Sequence, residues 1–314
     1  MNPPRTPRKR LAVNTNTLVF KSRGAPCEAT LYTPADTNPP VIVMAHGLGA
    51  ERSFGLAAYA GRFAAAGFAV LVFDYRNFGG SAGKPRNLIN PWRHVEDYGA
   101  AIACARSLPG VDASRIALWG TSFSGGHVIE AAVRDGNIAA IVAQIPFVDG
   151  RATMRMFSAG FIARSLLHGL RDLGAAAALR APHTVPIVGG PGCFALMNTP
   201  ESLPGYTSLL PADSRWRNEA PARIMLQVPF YRPVRRARRL ACPALVICAR
   251  RDSLIPASAV EKAAARMPRG EFAALDCGHF DVYRGRLFAK TIRMEIDFFL
   301  RHLCAGTRGA EGVR

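Results

Sequence analysis

Short apolar runs, each too brief for a helix, alternate along this chain with segments of helical length. Residues 41–45 precede a helical stretch at 56–66, 69–74 precede 92–107, 116–119 precede 122–134, and 139–144 follow. Runs buried on both faces and separated by helices read as parallel strands, because parallel neighbours need a long crossover between them. The pattern predicts an α/β fold, a mostly parallel, doubly wound sheet with helices on both faces. Residues 17–22 and 28–32 predict an antiparallel hairpin ahead of it. A last helix over 286–303 carries Leu287, Ile292, Met294, Ile296, Phe298, Phe299 and Leu300 and docks on one face.

The run at 116–119 leads into Gly120-Thr121-Ser122-Phe123-Ser124-Gly125-Gly126, and helix-competent residues follow. This is the layout of a nucleophile elbow, a sharp strand-to-helix turn that lifts a serine oxygen clear of the backbone. Small residues flank the nucleophile because neighbouring backbone packs closely against it. A degenerate match of this length also arises by chance, so chain order carries the reading further: an acid and then a histidine should follow the serine.

Asp252 is the acid candidate. It ends the segment Cys242-Pro243-Ala244-Leu245-Val246-Ile247-Cys248-Ala249-Arg250-Arg251-Asp252, whose apolar run reads as a buried parallel strand, and it lies just past the carboxyl end of that strand, where catalytic groups gather in open α/β sheets. The bland alternative is a helix cap ahead of Ala257. His279 is the base candidate, in a glycine-containing loop after a short strand at 272–275. Its ring can take the Ser122 proton and return it to the leaving group while Asp252 fixes the tautomer. His46 and His127 sit near the site on other elements; His94, His168, His183 and His302 lack a strand-end setting. An oxyanion hole needs two N–H groups, assigned to Phe123 and to Leu48 in His46-Gly47-Leu48-Gly49.

Together these residues resemble the α/β-hydrolase superfamily, over residues 41 to about 302. Asp74-Tyr75-Arg76-Asn77-Phe78-Gly79-Gly80-Ser81 is similar to that superfamily's Asp-x-Arg-Gly-x-Gly-x-Ser loop, with Asn77 for a glycine; Ser124 likewise replaces the elbow's last glycine. The wording around the motifs is similar to dienelactone-hydrolase-like and X-prolyl-peptidase-like hydrolases. It is also similar to polyketide acyltransferases and thiohydrolases. Dienelactone hydrolases proper use a cysteine nucleophile, so Ser122 does not carry their reaction over. The resemblance implies a serine hydrolase acting on esters or thioesters of an apolar acyl group, without cofactor or metal. Acyl transfer to an alcohol is the alternative enzyme reading. A non-catalytic ligand-binding protein of the same fold is the alternative from another class.

The alternation stops between Asp149 and Leu240. The expected organisation is therefore a basic N-terminus at 1–16, a core at 17–148 and 241–304, a cap at 149–240 and a flexible C-terminus at 305–314. The cap interval holds Met154, Met156, Phe157, Phe161, Leu166, Leu167 and Met197. Met154, Phe157, Phe161 and Met197 are candidate walls of an acyl pocket, and packing against the sheet is the alternative for each.

No run of about 18 apolar residues suggests a membrane helix, and no long apolar segment follows the basic start as in a signal peptide. Seven cysteines in irregular spacing fit a reducing, cytoplasmic setting without metal ligation. The net charge of +18 includes a dense cluster with Arg235, Arg236, Arg238 and Arg239. It reads as solvated surface or as a docking patch for an anionic partner such as coenzyme A or an acyl carrier protein. Aromatics do not interleave with it, so nucleic acid is disfavoured.

Overall fold

The structure, a computed structural model, describes residues 13–35 and 38–304. The ends assigned as 1–12 and 305–314 lie outside the described residues. Eight strands form one sheet in the order β1-β2-β4-β3-β5-β6-β9-β10. β1 (Val13–Ser22) and β2 (Ala25–Pro34) are the antiparallel hairpin, and β2 pairs antiparallel with β4 (Ala69–Phe73). β3 (Pro40–Ala45), β4, β5 (Asp112–Thr121), β6 (Ala140–Gln144), β9 (Ala244–Ala249) and β10 (Gly270–Leu275) run parallel. Residues 13–16, expected in the N-terminal tail, belong to β1. They extend the hairpin because each meets a partner on β2, Val13 opposite Pro34 and Asn16 opposite Leu31.

Alternate residues of β3 explain the doubly wound sheet. Val41, Val43 and Ala45 join one core with α2 (Pro91–Ser107), α3 (Phe123–Asp135) and α8 (Ala257–Ala264). Ile42 and Met44 join the opposite core with α1 (Leu56–Ala65) and α9 (Gly285–Leu303). A strand sandwiched this way must be apolar at every position, which is why these runs lack a period-2 pattern. On α9 the buried face includes Ile292, Phe298 and Phe299 but also Glu295, which is fully buried. Burial pushes its carboxyl well above the usual range, against the opposing pull of a hydrogen bond from the Trp119 indole.

Between β6 and β9 the chain leaves the sheet. Asp149 caps α4 (Gly150–Met154) by accepting from the Arg151 and Ala152 amides, and Arg232 pairs with it through both carboxylate oxygens at 2.8 Å. α5 (Ala159–Ala177), the two-residue strands β7 (Thr184–Val185) and β8 (Ala220–Pro221), α6 (Ser202–Thr207) and α7 (Ile224–Gln227) complete the insertion. It covers the carboxyl end of the sheet, where the loops after β3, β5, β9 and β10 converge. No helix among the described residues is long and apolar enough to cross a membrane.

Candidate active site

At the end of β5 the backbone of Ser122 turns to φ 56°, ψ −120°, and α3 starts with the next residue. Residues with a side chain rarely adopt such angles, and the surroundings must impose them. Here the Ser122 N–H donates to the Gln144 carbonyl at 2.9 Å, while the Ser122 carbonyl accepts from Gly125 and Phe147. The turn leaves no room beside it: a Cβ on Gly120 would lie 2.3 Å from the Ser124 carbonyl oxygen, and one on Gly126 would lie 2.1 Å from that of Phe147.

The two departures from the superfamily pattern have local reasons. The buried Ser124 hydroxyl is shared with the hydroxyls of Tyr98 at 2.7 Å and Tyr75 at 3.2 Å, fastening the elbow to the core behind it. Asn77 takes the left-handed conformation at φ 78° that a glycine would supply, which asparagine tolerates. Its side-chain amide donates to the Pro85 carbonyl.

Ser122, His279 and Asp252 form one hydrogen-bonded chain. His279 Nε2 lies 3.1 Å from Ser122 Oγ, and His279 Nδ1 lies 2.7 Å from Asp252 Oδ2. The other oxygen of Asp252 accepts from the amides of Leu254 and Ile255, so its loop holds the carboxylate aimed at the imidazole. Both side chains are almost wholly buried.

A residue that the sequence reading did not single out sits behind this chain. Glu201, at the start of α6, accepts from the Ser253 amide at 3.1 Å and the Ser253 hydroxyl at 2.5 Å with one oxygen, and from the His279 amide at 2.9 Å with the other. One carboxylate from the insertion thus ties the acid loop to the base loop. Gly278 makes room for it, since a Cβ there would meet Glu201 at 2.5 Å. A lone acid in an irregular stretch gives no sequence signal; only folding brings it to loops 52 and 78 residues away.

The loop after β3 closes over the serine. A Cβ on Gly47 would lie 3.2 Å from Ser122 Cβ, so Leu48 follows at the edge of the nucleophile. Phe123 opens α3 and lines the same space. The insertion grips this loop as well: the Tyr206 hydroxyl donates to the Leu48 carbonyl and the Trp216 indole to that of Gly49.

Beside Ser122 lies an apolar cavity of about 90 Å³. Leu48, Phe123, Met154, Phe157, Phe161 and Met197 all line it, so the four candidate pocket residues meet around one cavity. Met156, Leu166 and Leu167 do not contribute and face solvent instead. Among the described residues no group of three or more His, Cys, Asp or Glu is placed to hold a metal ion. In the basic cluster Arg236 lies 3.6 Å from Glu130, while Arg235, Arg238 and Arg239 are exposed on turns ahead of β9.

The remaining core histidines are structural. His127 shares a hydrogen bond with the Tyr231 hydroxyl at 2.6 Å and another with His94 at 3.3 Å, and His94 stacks on Tyr75. Burial pushes His94 and His127 well below the usual histidine range. It lowers His46 too, against the opposing pull of Asp74. All three stay neutral and hold the packing behind the elbow.

A parallel sheet with a strained serine turn, a strand-end acid and a loop histidine defines an α/β hydrolase. The alpha/beta hydrolase family model matches residues 42–291, and the chain belongs to that family. It is 39% identical over 283 residues to the quorum-quenching protein AidA of Acinetobacter baumannii, covering 90% of this chain and 93% of that protein. It is 28% identical over 294 residues to the thiohydrolase apmlB of Arthrinium phaeospermum, covering 88% and 94%. The solved structure of DcsB in complex with its substrate analogue superposes with a TM-score of 0.82 at 22% identity, covering 92% of this chain and all of that one.

Proposed function

We propose that this chain is a serine hydrolase that cleaves an ester or thioester of an apolar acyl group through an acyl-enzyme on Ser122. One observation carries the reading: the chain Ser122–His279–Asp252 ends at the mouth of an apolar cavity. Ser122 Oγ attacks the acyl carbonyl as its proton passes to His279 Nε2, and Asp252 steadies the imidazolium. The amides of Phe123 and Leu48 receive the oxyanion. Collapse expels the alcohol or thiol, which takes the proton from His279. Water then attacks the acyl-enzyme by the same steps in reverse. The relative with the printed name thiohydrolase supports the thioester branch. For a thiol leaving group on coenzyme A or an acyl carrier protein, the exposed Arg235, Arg238 and Arg239 offer the cationic surface.

The cavity bounds the acyl group. Its walls are almost entirely apolar, so they suit an apolar acyl group. The test is intact mass after exposure to a fluorophosphonate, with p-nitrophenyl esters of graded length assayed beside it. A single adduct on Ser122 and ester turnover that depends on acyl length are expected, and Ser122→Ala should lose about 10⁴-fold or more of kcat. An adduct without turnover would point to transfer onto an acceptor. A folded protein with no adduct would sink the activated serine and favour a binding protein.

A further inference from the structure

The helix α5 is built inside out. Its buried side chains are Ser165 and Asp172, beside Gly169, whereas Ile162, Leu166, Leu167, Leu170 and Leu173 are exposed. Asp172 is fully buried because it holds the insertion together, accepting from the Arg223 guanidinium and amide and from the His183 amide. That fixes the helix rotation and sends Ile162, Leu166, Leu170 and Leu173 outward as one continuous stripe. Just past the helix, Leu179 stands 95% exposed on a backbone with φ 54°, a place where glycine is the usual residue. Met156 extends the patch at the other end. Nothing among the described residues covers these groups, and aliphatic surface on this scale marks a docking face.

Charge selects the occupant. Arg151, Arg155, Arg164, Arg171 and Arg180 are exposed around the stripe, and the only acid from 150 to 200 is the buried Asp172. A second copy would bring the same cations face to face. A convex row of aliphatic chains edged by arginines matches instead the acyl and phosphate layers of an anionic lipid surface. We propose that α5 seats this protein on anionic membranes, leucines in the acyl boundary and arginines at the phosphates. Phe161 and Ser165 of the same helix line the cavity, so seating places the roof of the acyl pocket at the lipid.

The test is co-sedimentation of the full chain with vesicles of phosphatidylcholine alone or mixed with phosphatidylglycerol. The wild type should pellet with the mixed vesicles and not with phosphatidylcholine alone. Leu166→Ser with Leu170→Ser should weaken partitioning about tenfold or more, while fluorophosphonate labelling and turnover of a soluble ester stay unchanged. Equal pelleting of that variant would assign binding to overall charge and overturn the proposal. So would a wild type that stays in the supernatant, or one that is a dimer in solution and becomes a monomer in the leucine variant. None of these outcomes depends on whether Ser122 is the nucleophile.

Discussion

The sheet and the insertion above it solve the burial problem in opposite ways. In the core every strand residue of β3, β4, β6 and β9 is buried, and all but Gln144 at the end of β6 are apolar. In the insertion a buried carboxylate, Asp172, organises α5, and the leucines face outward. The core therefore draws its stability from area removed from water. The insertion draws its shape from a few hydrogen-bonded anchors, and such anchors fail locally when one partner is removed.

The comparison breaks most directly at Gly120. Gly120→Ala would push a methyl group into the Ser124 carbonyl, and a loss of about 4–5 kcal/mol is expected. Chemical denaturation should show it as a loss of stability of the whole chain. Asp172→Ala should destabilise by about 3 kcal/mol, the penalty of stranding Arg223, but within the insertion. Its signature is faster proteolysis inside 149–240 and flattened acyl-length selectivity, with short-ester turnover kept. A uniform drop in all activities would erase the distinction between the two regions.

Glu201 tests the seam between them. Glu201→Ala should lower kcat by about tenfold to a hundredfold, roughly 1–3 kcal/mol for lost charge-assisted hydrogen bonds, with KM for a short ester little changed. Glu201→Gln should sit between, because its amide nitrogen must face one of the donors. A KM effect alone would confine Glu201 to substrate binding.

The smallest effect per residue concerns acid. His94 and His127 sit well below, and His46 below, the ordinary 6.5 in the folded chain, so the unfolded chain takes up protons first as pH falls. Stability is then level above about 6.5 and declines below it, by about 1 kcal/mol per histidine one unit lower. Melting temperature against pH should show this limb. His94→Phe should flatten it.

What the sequence disclosed follows the same divide. Ser122, Asp252 and His279 were legible because each lies next to a strand end, and strand ends show themselves as apolar runs closed by small residues. The strand beginning at Asp112 was read only from Ile116, since its first four residues, Asp112 to Arg115, are mostly polar and partly or fully exposed. Met154, Phe157, Phe161 and Met197 were named as pocket candidates from type alone, and the structure lines the cavity with all four. Leu166 and Leu167 belong to the same apolar stretch but face water, because the rotation of α5 is set by Asp172 and Arg223, 51 residues apart. Glu201 stayed hidden for the same reason: its partners lie on other loops.

Glu201, Tyr206 and Trp216 come from one short part of the insertion, yet they hold the loops after β9, β10 and β3. The roof is therefore not an interchangeable module. Grafting another family member's insertion onto this sheet would transplant the pocket walls but release three loops at once, so a working chimera would have to carry residues 201–216 with the sheet.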